Sequence, residues 1–329
     1  MNGRRRVSAW LAAVALGPPW RTARAQAGLP RVGLLAPGSP DAQGPEGFEQ
    51  GLRDLGYVEG RNIVIERRFA MGRLEALPAL AAELVRLPVN VLAVSGPAPL
   101  RSAIAATQRI PIVMLASSAD PVAEGLVRSL ARPGGNVTGL TYAVSTDRFG
   151  KQLEALKQAV PHAARVAVWW DADLAAYQRT WVAPLTAAGR MLGLEVQAPT
   201  QVLVPEHVES ALQAMRRQRA DAVLVVINGP SARFAVQTAA AAVRLRLPTV
   251  AAQKSFTRAG GLLSYGPDIP AIHRRGAAYV DRLLKGAPAA EMPIELPSKY
   301  ELIVNLQTAR SLGLAIAPSL RLRADEVIE

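Results

Sequence analysis

The sequence predicts an α/β protein with two Rossmann-like lobes, each built on a parallel sheet with helices on both faces. From residue 31 onward, short β-branched apolar runs alternate with longer amphipathic stretches. The runs are apolar at nearly every position, which is typical of strands buried on both faces. The chain has 329 residues, enough for about two domains, and the alternation starts again near residues 142–148.

The first block contains five apolar runs separated by helical patterns. Strands are predicted at residues 31–35, 62–65, 89–94, 110–115 and 137–142. Helices are predicted at about 46–55, 74–87 and 97–107. A further helix is expected after Asp120, because Pro121 suits the first position of a helix.

The second block repeats the pattern. Strands are predicted at residues 165–170, 194–198, 222–227, 248–252 and 261–265, and residues 294–304 are expected to be mostly extended. Helices are predicted at residues 151–160, 181–192, 205–219, 231–245, 269–284 and 307–312. No repeat of the sequence itself relates the two blocks; they share only the alternation.

The net charge of +12 does not indicate nucleic-acid binding. Five of the arginines lie in the first 25 residues, with no acidic residue among them. The other basic residues are scattered singly along predicted helices, without a basic stripe that alternates with aromatic residues. We therefore expect no nucleic-acid partner.

The N-terminus resembles a secretory signal. A basic start (Arg4-Arg5-Arg6) precedes an apolar stretch at 7–16, and Ala23-Arg24-Ala25 forms a small-x-small site. The apolar stretch is too short to cross a bilayer. We expect cleavage near Ala25 and a periplasmic mature protein; a disordered basic tail is the alternative, and the export route stays open.

The motifs of common enzyme classes are missing from the sequence. There is no cysteine, so disulfides and thiolate metal sites are excluded. The three histidines lack metal-ligand spacing, and there is no G-x-S-x-G elbow, Walker loop or G-x-G-x-x-G after a strand. We expect no catalytic residue, no metal and no cofactor.

Ligands of open parallel sheets bind beyond the carboxyl ends of the strands. Small and polar residues follow several predicted strands; they are Gly38, Ser39, Ser95, Gly96, Ser117, Ser118 and Asn228. The helix N-termini beyond these loops favour an anionic group. Each loop taken singly could also be an ordinary turn or helix cap, but we expect some members of the set to contact a ligand.

Five further residues complete the predicted site. Asp120 either accepts a hydrogen bond from an ammonium group or caps the helix after it. Trp170 and Tyr265, at strand ends, could stack on a flat ligand, although adjacent Trp169 and Trp170 must face opposite ways along a strand. The last two predicted ligand contacts also lie at strand ends; they are Tyr142 and Gln253.

Six segments together resemble a known family. Residues 132–139 (RPGGNVTG) and 322–329 (LRADEVIE) carry the most specific similarity. Supporting segments are 51–62 (GLRDLGYVEGRN), 120–122 (DPV), 259–266 (AGGLLSYG) and 305–309 (NLQTA). The chain resembles the ABC-transporter substrate-binding proteins that include the tryptophan- and tyrosine-binding type, over essentially all of the mature chain.

The resemblance implies a type I periplasmic-binding-protein fold with a ligand cleft between the lobes and three crossings, near residues 143–148, 266–269 and 292–297. The N-terminal lobe would comprise 31–143 plus 269–291, and the C-terminal lobe 148–265 plus 294–329. It also implies a monomer that binds a small polar or amino-acid-like ligand, such as an amino acid or a carboxylate, by hinge closure and delivers it to an inner-membrane ABC permease. Alternatives are an exported sensing module for a receptor or kinase, and a secreted α/β enzyme.

The sequence departs from the family in the loops expected at the cleft. Trp169-Trp170-Asp171 stands where many relatives have an Asn-Pro turn, and Ser95-Gly96-Pro97 replaces the usual Thr or Gly pair. The loop at Asn228 lacks the usual aromatic residue. The identity of the ligand therefore stays open.

Overall fold

A computed structural model describes residues 28–40, 43–118, 120–142, 147–170, 175–202, 204–226 and 234–329. The predicted signal segment (residues 1–25), Asn228 and most of the first predicted crossing lie outside the described residues.

The first sheet contains β1 (Arg31–Ala36), β2 (Val64–Phe69), β3 (Val91–Ser95), β4 (Ile112–Ser117) and β5 (Val137–Thr141). Its strand order is β2-β1-β3-β4-β5, and every neighbouring pair is parallel. The five strands predicted for the first block are confirmed. Because the strands are parallel, the residues that follow β1, β3 and β4 share one edge of the sheet.

The second sheet contains β6 (Arg165–Trp170), β7 (Glu195–Val196), β8 (Thr200–Gln201), β9 (Ala222–Val226), β10 (Thr249–Ala251), β11 (Leu263–Pro267), β12 (Tyr300–Asn305) and β13 (Glu326–Ile328). Its order is β13-β12-β11-β10-β9-β6-β7, with β8 also pairing with β6.

The second sheet is not fully parallel, and this corrects the prediction. β12 pairs antiparallel with β11, and Pro267 lies opposite Tyr300 in the register. The chain leaves the sheet at the end of β11 and returns beside the same point, so β12 must run back along its neighbour. A sequence pattern cannot show this, because an extended apolar run looks the same in either direction.

The helices are α1 (Gln43–Asp54), α2 (Leu77–Arg86), α3 (Pro97–Ala106), α4 (Asp147–Ala159), α5 (Ala175–Met191), α6 (Val208–Arg217), α7 (Ala235–Arg244), α8 (Lys254–Arg258), α9 (Ile269–Leu284), α10 (Leu306–Leu312) and α11 (Pro318–Arg323). The short elements α8, α11, β8 and β13 were not predicted, because each is too brief to produce a periodic pattern. The predicted bounds of α9 are confirmed.

The prediction of a helix after Asp120 is wrong. Residues 121–125 form turns, and bends follow at residues 126–130. Gly125 takes a φ of +69°, which is outside the helical region, and the amides of Leu126 and Val127 both donate to the carbonyl of Pro121. A proline at the first position permits a helix, but the glycine four residues later ends the turn.

α9 packs against α1 and against the β3–β5 side of the first sheet. Its buried positions recur with helical spacing, at Ile272, Gly276, Val280 and Leu283 among others. The contact with α1 is very close, since a Cβ built on Gly51 would lie 2.4 Å from the carbonyl oxygen of Arg274. The segment after β11 therefore packs on the first sheet, whereas β12 and β13 extend the second sheet.

Within the described residues, no helix is both long and apolar enough to cross a lipid bilayer. The same residues contain no group of three or more His, Cys, Asp or Glu side chains placed to hold a metal ion.

Candidate functional site

A cavity of about 450 Å³, part of it open to solvent, lies between the two sheets. The first sheet contributes Ser118 and Tyr142, which follow β4 and β5. The other lining residues come from α4, α5, β9, the loop after β10, the end of β11 and the start of α9; they are Arg148, Phe149, Gln152, Trp181, Val225, Val226, Ala252, Gln253, Pro267 and Ile269. Its mainly apolar lining is typical of small-molecule sites.

Three of the predicted ligand contacts line this cavity: Ser118, Tyr142 and Gln253. Ser118 and Tyr142 come from the first sheet, and Gln253 follows β10 of the second. All three follow strand ends, which is where ligand sites of open parallel sheets are expected.

Trp170 and Tyr265 do not line the cavity. Trp170 is 3% exposed and packs edge-on against Trp181, with ring centroids 5.2 Å apart. The ring of Tyr265 stacks on that of Tyr300 at 5.8 Å, and its carbonyl oxygen accepts a hydrogen bond from the side chain of Gln152. Both aromatic residues support residues that line the cavity or lie beside it.

Ser95 has its hydroxyl oxygen 2.8 Å from Nε2 of buried His273. The Nδ1–H of His273 donates to the carbonyl of Ile269 at 2.9 Å, which leaves Nε2 to accept from Ser95. Burial lowers the pKa of His273 to about 4, so the ring is neutral at ordinary pH. Because Ile269 lines the cavity, this pair fixes the start of α9 at the cavity edge.

Four other predicted loop residues, Gly38, Ser39, Gly96 and Ser117, do not line this cavity. Gly96 precedes α3 with a φ of +89°. The buried Ser117 accepts at its carbonyl from the Thr141 hydroxyl at 3.0 Å. The carbonyl of Gly38 accepts from the amide of Met71, and Ser39 beside it is half-buried.

Asp120 has the capping role, although it caps a turn and not the expected helix. One carboxylate oxygen accepts from the amides of Val122 and Ala123, both at 3.0 Å. This is an Asx turn, in which the side chain replaces a backbone acceptor.

The main lining residues that sequence reasoning missed form an aromatic wall around Arg148. The guanidinium carbon lies 4.7 Å from the ring centre of Phe149, 4.8 Å from that of Trp181 and 5.9 Å from that of Tyr142. Its Nη1 donates to the carbonyl of Tyr142 at 2.8 Å. The spacing of Arg148 and Gln152 places them on one face of α4, but an arginine on an amphipathic helix ordinarily indicates a solvated surface.

The polar groups of the site are strongly buried. Burial raises the pKa of the Tyr142 phenol, while the nearby Arg148 cation partly opposes the increase. The hydroxyl of Ser118, a residue 1% exposed, lies beside that phenol, and its hydrogen bond to the phenol also opposes part of the increase.

A charged cluster stands next to the cavity, where the chain passes from β11 to α9. The ammonium of Lys254 lies 2.9 Å from Asp268 and 3.1 Å from Glu301. Burial lowers the pKa of Lys254, but the two carboxylates outweigh that effect and raise it overall. Because Gln253 and Pro267 line the cavity, this cluster ties two of its borders together.

Comparison with known proteins identifies the family. The model for ABC transporter substrate binding proteins matches residues 39–328. The chain belongs to this family. Its members are solute-binding proteins and not enzymes, which confirms that no catalytic activity is expected.

A family relative, the tyrosine-binding protein of Clostridioides difficile (strain R20291), is 26% identical over 270 residues, which are 82% of this chain and 76% of the relative. An L-Trp complex from Streptococcus pneumonia has a TM-score of 0.83 at 23% identity and covers 92% of this chain and all of the other. The ligand-free, open structure of a substrate binding protein from Clostridium difficile has a TM-score of 0.67 at 23% identity, with coverage of 91% and 99%. These likenesses confirm the predicted two-lobed type I fold.

Proposed function

We propose that the chain is the exported solute-binding component of an ABC uptake system and that it binds a small amino-acid-like ligand in the cavity between the sheets. The cavity carries this proposal, because its lining comes from both sheets and combines an arginine with three aromatic rings. A relative named for tyrosine and a solved complex with L-Trp support a ligand of this kind.

The proposed lobes are residues 31–143 plus 269–291 and residues 148–265 plus 294–329. The packing of α9 on the first sheet supports this division, as does the pairing of β12 with the second sheet. Ligand contacts on both lobes would then favour the closed arrangement over the open one.

The proposal also includes export. Residues 1–25 would act as the signal, and the mature chain would work as a periplasmic monomer that delivers its ligand to an inner-membrane permease. No nucleic acid and no cofactor take part in this scheme.

The test is a thermal-shift screen of the chain from Gln26 against amino acids, small carboxylates, nucleosides and sugars. A ligand at 100 times its dissociation constant stabilises the folded state by about 2.7 kcal/mol. For a chain of this size we expect the melting temperature to rise by roughly 5 °C. Recovery of the ligand unchanged after incubation would distinguish binding from turnover.

Closure of the two lobes can be measured with the ligand that this screen identifies. The chain has no cysteine, so a Pro40→Cys, Gln201→Cys variant carries two dyes at defined places. Both residues are exposed, and they lie just past β1 of the first sheet and at the end of β8 of the second. We expect energy transfer to rise when ligand binds; a ligand that binds with no change in transfer would contradict hinge closure.

A further inference from the structure

We infer that one edge of the second sheet is a basic docking surface for anionic phospholipids. This surface, the arginine edge, lies where β6, β7, β9 and β10 begin and where the helices α5, α6 and α7 end; its basic residues are Arg165, Arg190, Arg216, Arg217, Arg219 and Arg246. The cavity is lined from the opposite ends of these strands, by Val226 of β9 and by Ala252 after β10. The arginine edge is therefore separate from the ligand site and extends the proposed function.

The parallel strands bring these arginines together. β6, β9 and β10 are neighbours in the sheet and run in the same direction, so their first residues share one edge. Nε of Arg165 donates to the carbonyl of Arg219 at 2.8 Å. The side chain of Arg216 donates to the carbonyl of Leu245, the residue before Arg246. Arginines from separate segments of the chain therefore meet at one edge.

Two of these arginines have an unusual backbone conformation. Arg219 and Arg246 have φ values of +60° and +53°, and Met71 is the one other residue besides glycine with a positive φ in the described part of the chain. Each arginine follows a helix in a Schellman motif, in which the next amide donates to a carbonyl five residues earlier. Glycine adopts this left-handed conformation readily, whereas the Cβ of arginine makes it unfavourable.

Five other helices end in the same motif with glycine. They are α1, α5, α8, α9 and α10, and the glycines are Gly56, Gly193, Gly260, Gly286 and Gly313. A cation near the last carbonyls stabilises a helix, but all seven helices already have an arginine in the last turn. Arg219 and Arg246 are thus not required to end their helices. Their shared place on the arginine edge favours a role in binding.

Positive charge dominates the arginine edge. Two acidic residues share it, Asp221 and Glu195. Asp221 accepts from the amides of Ala164 and Arg165, both at 2.8 Å, and Glu195 lies opposite Arg165 in the register of β6 and β7. The six arginines outnumber these carboxylates. Several guanidiniums on one surface match the phosphate groups of anionic lipids, because each guanidinium can donate two parallel hydrogen bonds to a phosphate.

An exposed apolar side chain favours a membrane as the anionic partner. Met191 ends α5 beside Arg190 and is 88% exposed. An apolar side chain next to basic residues suits the boundary between lipid headgroups and acyl chains. The arginine edge as defined has no aromatic residue on which nucleic-acid bases could stack. The geometry is therefore that of a surface that contacts headgroups, with methionine as a shallow anchor.

The test is co-sedimentation of the chain from Gln26 with lipid vesicles in the absence of any ligand. The vesicles consist of phosphatidylcholine with about 30% phosphatidylglycerol, or of phosphatidylcholine alone. We expect binding to the anionic vesicles only. The binding should weaken between about 0.05 M and about 0.3 M NaCl, because salt screens the charges. Since no ligand is present, a failure here is distinct from a failure of the ligand screen.

The double variant Arg219→Gly, Arg246→Gly separates vesicle binding from folding. An arginine near an anionic membrane contributes roughly 5-fold in affinity, so the double variant should bind roughly 10- to 30-fold more weakly. Its melting temperature should be no lower than that of the parent, because glycine suits the left-handed position. Arg61→Gln, Arg109→Gln is the matched control; it removes the same charge from exposed loops beside the first sheet and should bind as the parent does.

Arg217→Gln, in the last turn of α6, gives a second measurement with an expected loss of roughly 5-fold. Equal binding by the parent and the double variant would overturn the inference. An equal loss in the control would also overturn it, because binding would then depend on the net charge of the whole chain. So would displacement from the vesicles by inorganic phosphate at matched ionic strength, or tighter binding to duplex DNA than to the anionic vesicles.

Discussion

His273 should make the protein lose stability in mild acid. The side chain is 2% exposed and its Nε2 accepts from the Ser95 hydroxyl at 2.8 Å. A second proton on the ring would place a charge in the buried site and remove this acceptor. Burial lowers the pKa of His273 from 6.5 to about 4, so the folded protein takes up that proton much later than the unfolded chain.

The direction of the stability change with pH follows from which state of the protein takes up the proton. Between pH 6.5 and about 4, the unfolded chain binds the proton on residue 273 and the folded protein does not. Stability therefore falls as the pH falls through this window and is fully present above it. The difference between the two pKa values corresponds to ~3 kcal/mol, or roughly 1.4 kcal/mol for each pH unit.

The assay is urea unfolding at several pH values between 7.5 and 5. This range lies above the ordinary pKa values of carboxyl groups, so Glu295 and Glu326, whose pKa values are lowered by arginine partners, contribute little to the slope. His273→Gln should be less stable than the parent at pH 7.5 but should lose less on acidification. His207→Gln, at an exposed position, is the control and should keep the parental slope.

Equal slopes for the parent and His273→Gln between pH 6.5 and 5 would refute the reasoning. That result would mean that the buried ring is already protonated in the folded state or that the site opens readily to water. Either case would remove the basis for placing His273 and Ser95 as a fixed neutral pair at the start of α9.

Three further predictions concern packing and the charged cluster around Lys254. Gly51→Ala should destabilise the fold by about 1–3 kcal/mol, because its Cβ would lie 2.4 Å from the Arg274 carbonyl oxygen. Gly135→Ala is the control: its Cβ would have no atom within 4 Å, so its free energy of unfolding in urea should stay within about 0.5 kcal/mol of the parent. Trp181→Ala should lower the free energy of unfolding by about 3–5 kcal/mol, because the side chain is only 5% exposed. It should also weaken the binding of every ligand, because the ring forms part of the cavity wall. Urea unfolding measures the first effect and calorimetry the second. Lys254→Met should leave the half-buried carboxylates of Asp268 and Glu301 without their shared cation, so the variant should unfold at a lower urea concentration than the parent. This loss of stability should be smaller at low pH, where the carboxylates are protonated. A loss of stability that does not change at low pH would contradict an electrostatic role.

Much of the fold could be predicted because apolar runs and helical spacing are local properties. The strands β1, β3, β4, β6 and β9 are continuous apolar runs, and α9 has an unbroken helical pattern bounded by Asp268 and Gly286. The turns and bends at 121–130 could not be predicted in this way, because the φ of Gly125 depends on how the surrounding chain packs.

The site was only partly predictable for a related reason. Ser118, Tyr142 and Gln253 line the cavity because the ends of parallel strands meet at one edge, and strand ends are visible in the sequence. Ser95 ends β3 and Asp120 follows β4, yet Ser95 contacts His273, and Asp120 contacts the amides of Val122 and Ala123. Which strand-end residues face a ligand depends on contacts with residues distant in the chain.

The sequence by itself determined the two α/β blocks, the order of nearly all their strands and helices, and the family, because these depend on local periodicity and on contiguous motifs. The tertiary structure alone decided that β12 runs antiparallel beside β11 and that rings after β5 and from α4 and α5 surround Arg148. Both depend on where the chain returns after crossing between the sheets. That return brings together residues far apart in sequence, and no local pattern records which of them will meet.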